Sequence, residues 1–121
     1  MSVPEVVTEP IVRDVRPIPQ GVVIDISLPV ELFYFQGHFP GRPILPGVVQ
    51  IDWVVRLADK YLETTIESAQ SFQVKFKSVI EPGRSLTLVL RRASDDRKLL
   101  FEYQDGSAVL SSGSVGIQGK P

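Results

Sequence analysis

The sequence predicts an α+β domain in which an antiparallel sheet of five or six strands wraps around one long central helix. Three observations predict it. A single segment, from near Pro46 to about Glu63, has helical apolar spacing with no internal proline and no glycine beyond Gly47. Apolar residues elsewhere alternate with polar ones at a period of two, and the alternating runs are separated by short turn signals. Neither the helix nor the sheet can hide its apolar surface alone, so each must cover the other. At 121 residues, 43% hydrophobic and 22% charged, the chain reads as one globular domain over 1–121.

Residues 1–10 carry Pro4 and Pro10 among acidic and β-branched residues and read as a loose arm or edge segment. The first clear strand places Val22, Ile24, Ile26 and Leu28 on one face and Val23, Asp25 and Ser27 on the other, bracketed by Gly21 and Pro29. The helix would be about 25 Å long. Asp52, Arg56, Asp59, Lys60 and Glu63 share one stripe of it, and apolar side chains from Ile51 to Leu62 cover most of the rest, so most of the helix should be buried. Val48 and Val49 occupy the polar stripe one turn before Asp52. Alternation then returns in Phe72, Val74 and Phe76, in Leu86, Leu88 and Leu90, and in Leu99, Phe101 and Tyr103, with a last strand around Ala108 to Ile117. Pro82-Gly83, Ser94-Asp95-Asp96 and Asp105-Gly106 separate these runs and favour antiparallel neighbours.

Composition excludes several classes of function. Thirteen Lys and Arg against 14 Asp and Glu give a formal charge of −1, so no chain-wide field points to nucleic acid or to an anionic membrane. With no cysteine there is no disulfide, thiolate nucleophile or zinc ribbon, which is compatible with a reducing cytoplasm. No apolar stretch is long enough to span a bilayer, and the N-terminus lacks the pattern of an export signal. The expectation is a cytoplasmic protein without membrane insertion. One histidine, His38, is the sole imidazole, which leaves no multi-histidine metal site. No serine sits in a strand-to-helix nucleophile elbow.

His38 lies in a knot of proline and glycine. Six of the chain's 19 glycines and prolines fall between Gly37 and Gly47. Pro40, Gly41, Pro43, Pro46 and Gly47 stiffen the loop before folding and so can hold one side chain steadily. The loop feeds a helix whose first turn contains Gly47, where unpaired N–H groups and the positive dipole end attract developing negative charge. Asp52 follows one to two turns later. Helical side chains lean toward the N-terminus, so its carboxyl should hang over Val48 and Val49, in surroundings that favour the protonated acid. An imidazole, a carboxyl and a helix N-terminus are the minimum equipment for abstracting a proton beside a carbonyl and eliminating a neighbouring group. Each also has a plainer reading. His38 could bond to backbone, Asp52 could pair with Arg56 at i,i+4, and Gly47 could serve only to start the helix. Phe39, Ile44, Leu45 and Trp53 suit either an acyl tunnel or ordinary core.

The string His38-Phe39-Pro40-Gly41-Arg42-Pro43-Ile44-Leu45-Pro46-Gly47-Val48, with a carboxylate at Asp52, resembles the signature of the 3-hydroxyacyl-[acyl-carrier-protein] dehydratases, which have the hotdog fold. Phe72 to Gly83 is similar to the strand and Pro-Gly turn that follow the helix in that family. The resemblance implies a homodimer, or a dimer of dimers, in which two sheets join edge to edge and His38 of one subunit meets Asp52 of the other. It implies that His38 takes the C2 proton of a (3R)-hydroxyacyl thioester, that Asp52 protonates the departing 3-hydroxyl, and that the Gly47 amide holds the thioester oxygen. The product is the trans-2-enoyl thioester, in fatty acid or related lipid and polyene synthesis. Acyl carrier protein is the implied partner, its phosphopantetheine carrying the substrate, and no metal or diffusible cofactor is required. Arg42, Lys75, Lys77, Arg84, Arg91, Arg92, Arg97 and Lys98 suit a patch for that acidic carrier or a solvated strand face. Most broad-specificity members have Glu where this chain has Asp52, and Asp52-Trp53 resembles the shorter dehydratases of aryl polyene clusters. A hotdog acyl thioesterase and a non-catalytic acyl-binding partner subunit are the alternatives.

Overall fold

A computed structural model describes residues 7–35, 43–63, 72–94 and 97–117. Six strands form one antiparallel sheet: β1 (Ile11–Ile18), β2 (Gly21–Ser27), β3 (Phe72–Phe76), β4 (Ser85–Arg92), β5 (Lys98–Asp105) and β6 (Ala108–Gly116). Their order across the sheet is β1-β2-β4-β5-β6-β3, and each neighbouring pair is antiparallel. The helix α1 (Gly47–Leu62) precedes β3 in sequence, and a short 3-10 turn (Phe33–Phe35) follows β2. This is the hotdog architecture.

The predicted alternation sets the core. Val22, Ile24 and Ile26 of β2, Leu86, Leu88 and Leu90 of β4, and Leu99, Phe101 and Tyr103 of β5 are all buried on one face of the sheet. They pack in one cluster with Val49, Trp53, Val54, Leu57 and Ala58 of α1. The turn signals also hold. Gly83 in the Pro82-Gly83 turn has φ +78° and Gly106 in the β5–β6 hairpin has φ +60°, angles that favour glycine. Pro46 is extended (φ −62°, ψ 146°) and caps the start of α1 without a side-chain bond, while Glu63 closes it in the left-handed region with its N–H on Ala58 O. The Arg92 guanidinium bonds the Leu62 carbonyl at that end, where a cation complements the helix dipole.

β1 makes the sixth of the expected five or six strands, over residues 11–18, to which the sequence pattern assigned no element. A bulge between Val12 and Asp14 breaks its two-residue period, and Pro17 is tolerated because β1 is an edge strand. Helix burial is narrower than the apolar count suggested: of the 16 helical residues, Val49, Gln50, Trp53, Val54, Leu57 and Ala58 are buried. Val48 is 75% exposed at the first turn. The alternating phenylalanines of β3 are exposed as well, Phe72 at 51% and Phe76 at 53%. β3 is the other edge of the sheet, beyond β6, where Val74 packs against the core and the half-exposed Phe76 lies beside Gly47 at the start of α1.

Candidate active site at the start of the helix

The loop before α1 is tied to the rest of the fold by its backbone. Leu45 N–H donates to Ile80 O at 2.8 Å, fixing the entry to the helix against the segment between β3 and β4. Pro46 O accepts from the amides of Val49 (3.1 Å) and Gln50 (3.2 Å), which starts the helical ladder. The amides of Gly47 and Val48 come before any such partner, and among the described residues neither donates to an acceptor. Two adjacent donors at the positive end of the helix are thus available to an anionic oxygen. Gly47 lies close under Phe76: a Cβ there would lie 2.5 Å from Cζ, so the half-exposed ring would have to move to admit one. The Phe76 ring of β3 thus packs beside the first turn of α1.

A buried polar network that the sequence reading did not identify holds this turn in place. Gln50 is 3% exposed, and its Nε2 donates to Leu45 O at 3.3 Å while its Oε1 accepts from Ser111 Oγ at 2.7 Å. Its backbone carbonyl accepts from the Tyr103 hydroxyl at 2.6 Å. One side chain thereby links the loop, the helix and β6. Burial pushes the Tyr103 phenol far above its ordinary range, and the Asp52 charge adds to this, so the hydroxyl remains a neutral donor. No buried side-chain polar atom among the described residues lacks a partner. Gln50 sits on the buried face of the helix and Tyr103 at an inward strand position. Polar atoms at predicted core positions were the available signal.

Asp52 does not take the enclosed position expected of it. Its side chain is 45% exposed, and Oδ2 accepts from Arg56 Nε at 2.9 Å, toward the next turn rather than over Val48 and Val49. The i,i+4 cation supplies the reason, since the two residues are neighbours on the helix surface. Beside it, Trp53 Nε1 donates to Thr8 O at 3.2 Å, and Trp53 is 1% exposed. Of the residues weighed for an acyl tunnel, Leu45 and Trp53 are core. His38 and Phe39 lie outside the described residues, as does Arg42. Gly47 and Asp52 therefore lie on one helix, in its first and second turns. Among the described residues no group of three or more His, Asp or Glu could hold a metal ion, and no helix is long and apolar enough to cross a membrane.

Comparison with known proteins supplies relatives for this arrangement. Among curated proteins, the chain is 32% identical over 73 residues to the bifunctional enzyme LpxC/FabZ of Porphyromonas gingivalis, covering 54% of this chain and 16% of that one. It is 27% identical over 94 residues to the 3-hydroxyacyl-[acyl-carrier-protein] dehydratase FabZ of Rickettsia bellii, covering 71% of this chain and 63% of that one. A FabZ of Lactiplantibacillus plantarum is matched over 52% of its length, so the chain spans about half the length of such relatives. Among solved structures, the dehydratase heterocomplex ApeI:P from Xenorhabdus doucetiae superposes with a TM-score of 0.79 at 30% identity, covering 93% of this chain and 100% of that one. The dehydratase domain of the polyketide protein PpsC from Mycobacterium tuberculosis, 17% identical with a TM-score of 0.65, shares the fold. The family of ApeI-like dehydratases, described as ApeI dehydratase, matches residues 15–114, and the chain belongs to that family.

Proposed function

We propose that the protein dehydrates (3R)-hydroxyacyl thioesters carried on acyl carrier protein to trans-2-enoyl thioesters. The observation that carries this reading is the pair of amides at Gly47 and Val48 that among the described residues engage no acceptor, in a chain of a dehydratase family. The Gly47 amide holds the thioester oxygen as negative charge builds on it, a contribution of about 10²–10³ in rate for one such donor. His38 removes the C2 proton. Asp52 of the partner subunit gives its proton to the 3-hydroxyl, which departs as water while the C2–C3 double bond forms. No metal or diffusible cofactor takes part in these steps. The chain pairs with itself through β3, whose free edge and exposed Phe72 and Phe76 are the features a second sheet would cover.

A second reading, that the chain is a non-catalytic acyl-binding subunit of a mixed dimer, is favoured by one observation: the ApeI:P neighbour is a dehydratase heterocomplex. Hydration of crotonyl-CoA, followed by loss of enoyl absorbance, separates the readings. The purified chain alone is expected to hydrate the enoyl thioester without releasing free thiol. Release of thiol and acid would make it a thioesterase. An inactive homodimer that gains activity only with a second subunit would support the mixed-dimer reading.

A further inference from the structure

Arg56 occupies a position that fold stability does not explain. Its Nε donates to Asp52 Oδ2 at 2.9 Å, and its NH1 lies 3.6 Å from Glu9 Oε1. Its side chain is 58% exposed, Asp52 is 45% and Glu9 69%, and ion pairs this exposed add little to stability. The guanidinium nevertheless lies between two carboxylates, Asp52 at hydrogen-bonding distance and Glu9 at ion-pair distance. Glu9 belongs to a segment fixed by Trp53 Nε1 on Thr8 O and by Phe33 N–H on Val7 O at 2.8 Å. The planar fork of arginine can address two carboxylates in different directions, which a lysine ammonium cannot do with the same directionality.

The consequence falls on Asp52. Its Oδ2 is taken by Arg56, while among the described residues Oδ1 has no hydrogen-bond partner. We infer that Arg56, steadied by Glu9, is a positioning residue that turns the Asp52 carboxyl so that one oxygen is held and the other is presented to the substrate's 3-hydroxyl. In the elimination the C2–H electron pair becomes the C2–C3 π bond, the C2 proton goes to His38, and the C3–O bond breaks. The Asp52 proton leaves with the hydroxyl as water. The carboxylate left behind is then already beside a cation and needs no rearrangement. This inference rests on the proposed role of Asp52.

The test compares Arg56→Met, Arg56→Lys, Glu9→Gln and Asp52→Asn in steady-state hydration of crotonyl-CoA. For Arg56→Met, kcat is expected to fall about tenfold with KM within about twofold of wild type, since an orienting contact to the reacting carboxyl acts on turnover and not on binding. Arg56→Lys should recover part of that loss, and Glu9→Gln should lower kcat by a smaller factor. Arg56→Gln replaces Arg56→Met if the latter does not fold. A kcat within twofold of wild type for the uncharged variant, a loss confined to KM, or a lysine variant no better than methionine would overturn the inference. If Asp52→Asn turns over at the wild-type rate, the role of Asp52 itself falls and the inference with it. An inactive Asp52→Asn beside a fully active Arg56→Met removes the inference alone.

Discussion

Replacing His38 by alanine lowers the rate of enoyl thioester hydration by about 10²- to 10⁴-fold, the range that removal of a positioned general base or acid produces. The effect is this large because the chain has one histidine and no cysteine, so no other side chain of ordinary pKa near neutrality can take over the C2 proton. Binding should survive, because in the proposed mechanism the Gly47 amide, not His38, holds the thioester oxygen. KM is therefore expected to stay within a few-fold of wild type while kcat collapses. Steady-state kinetics with crotonyl-CoA check both halves of the statement. A kcat within tenfold of wild type would mean that proton abstraction is done elsewhere.

The largest effect on stability is expected at Trp53. It is the only tryptophan, 1% exposed, and it is packed in the core cluster that joins the helix to the sheet. Truncation to alanine removes the indole and leaves a cavity that the sheet can close only in part, at a cost of about 3–5 kcal/mol. Trp53→Phe keeps most of the volume and loses the Nε1–H bond to Thr8 O, at a cost of about 1 kcal/mol. Urea denaturation followed by far-UV circular dichroism measures both. The order of the two midpoints separates loss of packing from loss of the single hydrogen bond, and equal midpoints would contradict the packing assigned to Trp53.

Where side-chain alternation and helix punctuation act locally, the fold was legible in the sequence. β2, β4 and β5 bury the residues that a two-residue period selects, and α1 begins and ends within a residue of Pro46 and Glu63. β1 was not legible because its bulge interrupts the period, and no local rule places a bulge. β3 carries the right pattern, yet Phe72 and Phe76 stay exposed, because alternation says which side chains share a face and not what covers that face. At the candidate site, the spacing placed Gly47 at the helix start and Asp52 one to two turns on, and left open an enclosed Asp52 or one paired with Arg56; the helical lean toward the N-terminus and the i,i+4 cation pull the same carboxyl in opposite directions, and only the folded chain shows the pair. The Gln50, Ser111 and Tyr103 network joins residues from three elements, and only the folded chain brings them together.

A site shared between two copies of the chain makes a prediction that no single variant can make. His38→Ala and Asp52→Asn should each be nearly inactive as homodimers. Mixed in equal amounts and allowed to exchange subunits, they form a hybrid with one site lacking both residues and one site intact. Half of the dimers being hybrids, the mixture is expected to recover about a quarter of wild-type activity per subunit. A mixture that stays at the level of the two variants alone, after exchange has been verified by mass, would contradict a dehydratase site completed across the dimer.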